Sequence, residues 1–181
     1  MKRMTKLIFV LLICSIFVFT GCSNKSIEKH NTMILGSMEK VVSVEKNIKF
    51  YDSEVLVHDE TEKYVIEGTK ADVEKTTLTL GNNFELVSTT TTSSINDFNK
   101  NSLFNMNLKE ELLSNIVYGE NVLTFEVASD KFSVVFKNTE LNIQGNAQVK
   151  FTYNDKLISS IDISFTTITN KNVVVKMSYS Y

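Results

Sequence analysis

Residues 148–181 read QVKFTYNDKLISSIDISFTTITNKNVVVKMSYSY, and this stretch decides the fold. Val149, Phe151 and Tyr153 alternate with polar residues and lead into Asn154-Asp155, a pair suited to a type I′ hairpin turn. Ile161, Ile163 and Phe165 alternate next, and Thr169-Asn170-Lys171-Asn172 turns the chain again. Val173, Val175, Met177, Tyr179 and Tyr181 then alternate to the C-terminus, where Tyr181 is expected to find a partner. A period of two over three successive runs describes an antiparallel meander with one apolar face and one face of Ser, Thr, Asp and Lys.

The same period extends upstream. Ile48, Phe50, Val55 and Val57 suggest a strand bent near Asp52-Ser53, followed by a turn at His58-Asp59-Glu60-Thr61. Tyr64-Val65-Ile66 and Thr77-Leu78-Thr79-Leu80 read as strands, and Gly81-Asn82-Asn83 as a turn. Phe84 opens a strand that runs into the Ser/Thr tract 88–94, which reads as an exposed edge. Val122 to Val127 form another strand, and Leu141 with Ile143 a short one ending at Gly145. Residues 130–137 suit either a helix capped by Asp130 or a strand carrying Phe132, Val134 and Phe136.

Two segments carry helical spacing. Met33, Ile34, Met38, Val41 and Val42 place an amphipathic helix over 32–44. Asn107 and Glu110 match a capping box, Leu108, Leu112 and Ile116 fall on one face, and Gly119 terminates, which predicts a helix over 107–117. Leu103, Phe104 and Met106 form an apolar cluster before it. The chain contains no proline and shows no internal repeat. The fold class expected is α+β, mostly antiparallel β: a curved sheet or half-barrel with one or two short helices packed on it, in a single domain over 32–181.

The first residues carry a different message. Lys2, Arg3 and Lys6 precede an apolar run over 7–19, too short for a comfortable membrane span of about 20 residues but of secretory length. Val18-Phe19-Thr20-Gly21-Cys22 follows. This segment resembles a bacterial lipoprotein signal peptide, with Thr20 and Gly21 as the small residues of the lipobox and Phe19 where Leu is commonest. The resemblance implies cleavage after Gly21, lipidation of Cys22, and an extracytoplasmic domain held on the cell membrane through that lipid. Residues 22–31 read as a polar tether.

Charge and composition narrow the function. All 21 acidic residues lie after Cys22 while Lys2, Arg3 and Lys6 precede it, so loss of the leader changes the formal charge from −2 to 16 − 21 = −5. No basic stripe interleaved with aromatics exists, so nucleic acid is not an expected partner. Cys14 and Cys22 are the two cysteines of the chain; one departs with the leader and the other takes the lipid, which excludes thiol chemistry and cysteine-bound zinc from the domain.

No phosphate-binding loop, nucleophile elbow or zinc-protease motif is present. His30 falls in the tether, and His58 has no marked serine partner. The run His58-Asp59-Glu60-Thr61-Glu62 holds metal-type donors, but neighbours in a turn diverge, and a solvated charged tip is the plainer reading. Glu110-Glu111 suits the first turn of a helix better than it suits paired catalysis. Tyr51, Tyr64 and Tyr118 are possible carbohydrate platforms, though core positions suit them better. No enzyme activity, metal or cofactor is expected.

The order of short helix, antiparallel strands, inserted apolar segment and closing meander resembles lipoprotein carriers of the LolA/LppX type, on residues 103–106, 107–117 and 148–181. That likeness implies a half-barrel around an apolar cavity with a helical lid. The function expected is binding of a lipid or other hydrophobic molecule between sheet and lid, with Leu103, Phe104, Leu108, Leu112 and Ile116 against the ligand. The alternative is a pocketless structural or interaction module with an envelope protein as partner, presenting 88–94 or 58–62.

Overall fold

The computed structural model describes residues 26–81, 85–137 and 141–181. Within them the chain builds one open, curved, antiparallel sheet of nine strands with two α-helices on one face. Helix α1 spans Ile27–Lys40. The first four strands are β1 (Ser43–Asp52), β2 (Val55–Glu67), β3 (Lys70–Leu80) and β4 (Leu86–Ile95). They are followed by β5 (Ser114–Tyr118) and β6 (Val122–Ala128), helix α2 (Ser129–Phe136), then β7 (Ile143–Asn154), β8 (Leu157–Thr167) and β9 (Lys171–Ser180).

The spatial order is β4-β3-β2-β1-β9-β8-β7-β6-β5. The chain meanders outward from β1 to one edge, crosses to the opposite edge, and meanders inward until β9 pairs with β1, Ser43 opposite Ser180. Residues 96–113 make the crossing. They are pinned at intervals: Phe98 N–H donates to Thr69 O, Lys100 Nζ to Val41 O at 2.8 Å, and Asn107 N–H to Val135 O. Asn31 of α1 donates to Leu108 O at 2.9 Å.

The closing meander forms as its alternation predicts, and the edge position of 88–94 is also found: all ten residues of β4 are exposed. Both turns of the meander sit slightly off the expected residues. At the first, Asp155 and Lys156 hold φ of 48° and 69°, so the type I′ pair lies one residue later than Asn154-Asp155. Tyr181 lies beyond the ladder, and its hydroxyl donates to Ile158 O at 2.7 Å.

Several expectations are corrected. Residues 58–61 are not a turn. They lie within β2, and the reversal occurs at Ser53, whose φ is 55°. Opposite charges in register hold the strand there: Lys46 faces Glu62, and Lys49 faces Asp59. The short strand at 141–145 is the start of β7, which continues through a bulge where Gly145 takes a φ of 65°. Residues 130–137 resolve as helix, ending with Lys137 in the left-handed region.

Helix α1 starts within the segment read as a tether. Ser26 caps it by accepting from Lys29 N–H, and Ile27, His30, Ile34, Ser37 and Met38 form its buried face. It stops at Lys40 because Val41 and Val42 already run toward β1, where Val42 N–H donates to Ser180 O. The expected helix over 107–117 does not form. Glu110–Leu112 make a single 3-10 turn without a side-chain cap, and Ser114–Tyr118 become edge strand β5. Asn107 and Leu108 are already fixed by Val135 and Asn31, and β6 offers an open edge, so tertiary pairing overrides the local spacing.

The core lies on the face that the helices cover. Leu123, Phe125, Val127, Val149, Phe151, Ile161 and Val173 project there from β6 to β9, and Ile34, Met38, Phe132 and Val135 meet them from the helices. Phe151 is fully buried, stacked on Phe125 at 5.8 Å and edge-on to Phe104 at 6.0 Å. Ser37 ties α1 to the sheet by accepting from Ile158 N–H at 3.1 Å while donating to Met33 O.

Candidate functional site

A cavity of about 500 Å³ lies on the covered face, where β1, β2, β8 and β9 pass beneath the crossing segment. Its floor is Val44, Ile48 and Phe50 of β1, Ile163 and Phe165 of β8, and Val173, Val175 and Met177 of β9. Strand periodicity puts these on one face, because β1 carries its apolar residues at even positions and the partners in register with them are odd positions of β9. The roof is Ser102 to Met106, and one wall is Phe132 and Phe136 of α2, their rings 4.6 Å apart, with Leu141 beside them.

The roof is held by aromatic contacts on either side. Phe98 stacks on Tyr64 at 5.9 Å, and Phe104 meets Phe151. Lys100 ties the crossing segment to the C-terminal end of α1 by donating to the carbonyls of Glu39 and of the capping residue Val41, which also complements the helix dipole.

The opposite wall is charged. Lys46, His58, Glu60 and Tyr64 reach the cavity from β1 and β2. Behind them Lys46 Nζ lies 3.1 Å from Glu62, and Lys75 Nζ of β3 lies 2.8 Å from Glu60 and 3.5 Å from Glu62. Tyr64 donates its hydroxyl proton to Glu62 at 3.2 Å. Burial pushes the Glu62 carboxyl up, but the charges of Lys46 and Lys75 and the hydrogen bonds of Lys46 and Tyr64 outweigh it and hold the group below the ordinary value. Burial and the neighbouring Glu62 charge push the Tyr64 phenol up to about 12, so it serves as a donor throughout the physiological range. The hydrogen bond to Glu60 raises the Lys75 ammonium. His58 packs its ring edge-on to Phe50 at 5.5 Å and lies 3.9 Å from Glu60.

The run 58–62 therefore plays a part that the sequence did not reveal. His58, Glu60 and Glu62 share the cavity face, while Asp59 and Thr61 point the other way, where both accept from Asn47 Nδ2. Among the described residues no group of three or more His, Cys, Asp or Glu side chains is placed to hold a metal ion.

Of the ligand-contacting residues expected from sequence, Leu103 and Phe104 line the cavity. Leu108 is buried in the core, and Leu112 and Ile116 are half-buried against it, so the cavity is covered by the 102–106 crossing and α2 rather than by a helix over 107–117. Cys22 lies outside the described residues. His30, read as part of a tether, is instead 8% exposed within α1, with its Nδ1 2.9 Å from the Tyr153 hydroxyl and its ring stacked on Tyr118 at 5.5 Å. Burial raises the phenol of Tyr153. Spacing could have found this face: Ile27, His30, Ile34 and Met38 recur at three and four residues once a histidine is admitted as a buried group.

Among the described residues no helix is long and apolar enough to cross a membrane. No family model and no curated protein matches the sequence. Among solved structures, a redesigned beta barrel, mFAP1, bound to DFHBI, matches at 10% identity over 78% of this chain and 97% of that chain, with a TM-score of 0.25. A superposition of that quality transfers nothing to this chain.

Proposed function

We propose that this protein is a non-enzymatic, lipid-anchored extracytoplasmic lipoprotein that holds an amphipathic hydrophobic molecule in the cavity beneath residues 102–106. The observation that carries the reading is the cavity itself. Its volume of about 500 Å³ falls in the range of small-molecule sites, and its walls are apolar except for one polar side. The apolar part of the ligand lies between Val175, Ile163 and Phe104, and its polar end meets Lys46, His58 and Glu60. Such a ligand keeps hydrogen bonds where the wall is charged and loses water where it is not. The anchoring half of the proposal rests on residues 1–22 and on their likeness to a lipoprotein leader.

The binding test uses the purified full chain and the fluorescent probe N-phenyl-1-naphthylamine. Saturable enhancement with one site per chain is expected, and Val175→Trp, which fills the floor, should weaken it at least tenfold while the thermal melt stays cooperative. Probe binding that is absent, or unaffected by Val175→Trp, overturns the cavity reading. Separately, Cys22→Ala should abolish labelling by a palmitate analogue in bacterial cells. Labelling that persists would sink the anchor without touching the cavity.

A further inference from the structure

We propose that β4 pairs edge to edge with β4 of a second copy of this chain, antiparallel, about a two-fold axis at Thr91. The two edges of the sheet differ in how they are protected. Strand β5 has five residues and a register shift between Ser114 and Val117, with Asn115 at a φ of 50°. A short, bulged strand is a poor template for further pairing. Strand β4 has ten residues in unbroken register with β3, from Ala71 opposite Ile95 to Leu80 opposite Leu86. It contains no charge, proline or glycine, and every residue is exposed. Among the described residues no strand pairs with its outer row of N–H and C=O groups.

The side chains name the occupant. A two-fold axis normal to the sheet keeps equivalent faces on the same side, so a residue at the axis meets its own copy and each flanking pair is symmetric. About Thr91 the pairs are Thr90 with Thr92, Thr89 with Ser93, Ser88 with Ser94, and Val87 with Ile95. Every pair is like with like, hydroxyl against hydroxyl and β-branched apolar against β-branched apolar. Val87 is 57% exposed and Ile95 40% exposed in the single chain, and the pairing covers both. Thr76 and Thr90 already share a cross-strand hydroxyl contact of 3.1 Å between β3 and β4, and the same contact repeats between Thr90 and the partner copy's Thr92.

The test places a benzophenone amino acid at Thr92 in the full chain expressed in bacteria. Illumination should give a product of twice the chain mass containing peptides of this protein alone, and the same label at Lys156, on the β7–β8 turn, should give none. Thr91→Lys and Thr91→Glu each set like charges against each other at the axis and should lower the product at least tenfold. Co-expressing the two should restore it, which a mere loss of folding would not do. Thr91→Glu also faces Lys75 of β3 in register, so its thermal melt should match the parent's. No product at Thr92, a product containing a different protein, or cross-linking that survives in either single variant overturns the proposal.

Discussion

The covered face of the sheet has two halves built by opposite rules. On β6 to β9 nearly every inward side chain is apolar and buried, and the helices press directly onto it. On β1 to β3 the same face carries Lys46, Glu60, Glu62 and Lys75, each half-exposed and joined by ion pairs, with His58 3.9 Å from Glu60. The first half closes because removing apolar surface from water stabilises it, at about 25 cal/mol per Å². The second half cannot close the same way, since stripping water from five ionisable groups costs more than the roof could return. The cavity sits along the seam between them.

The largest effect should separate the halves outright. Phe151→Ala in the packed half should cost about 3–5 kcal/mol in urea denaturation, through lost transfer energy and the void left behind. Phe50→Ala, which only enlarges an existing cavity, should cost about 1 kcal/mol while weakening binding of the naphthylamine probe. Equal costs would break the contrast. Ser37→Ala tests the seam between α1 and the packed half: the Ile158 amide loses its acceptor, and about 1–3 kcal/mol should disappear in the same assay. The smallest effect belongs to Glu62→Gln, at about 0.5–1 kcal/mol at pH 7, because its partners remain partly solvated. Its folded pKa lies below the ordinary value of 4.5, so the stabilisation is present above that value and is lost as pH falls through the folded pKa. Melts of parent and variant should therefore differ at pH 7 and converge as the pH falls below the folded pKa of Glu62; a gap that persists in strong acid would show that Glu62 acts through packing instead.

The packed half was the legible half. Val149, Phe151, Ile161, Ile163 and Val173 announce their face by alternation alone, because one side of each strand is apolar and the other is not. The charged half hides from that criterion. His58-Asp59-Glu60-Thr61-Glu62 is polar at every position, so it reads as a turn, and its strand character becomes visible only through partners in register, Lys46 and Lys75, distant in sequence. Residues 107–117 mislead for the opposite reason. Their local signals agree on a helix, yet the open edge of β6 and the bonds at Asn107 and Leu108 decide otherwise. Leu103 and Phe104 were found because an apolar cluster outside any strand needs somewhere to go; Leu112 and Ile116 were grouped with them on a helix that does not exist.

The arrangement of β1 against β9 also sets a timetable. Ser43 pairs with Ser180, 137 residues later (180 − 43), so the centre of the sheet is sealed only once β9 has been made. Strands β1 to β4 can zip together through local contacts as they emerge, and β5 with β6 and β7 to β9 can do the same, β6 meeting β7 across the α2 connection. The join between the two ribbons must wait for β9, and until then the inner edge of β1 stands open without a strand partner. Nascent chains halted before Lys171 should thus be the species that proteases and chaperones capture, whereas a few residues more should release a chain able to close on itself.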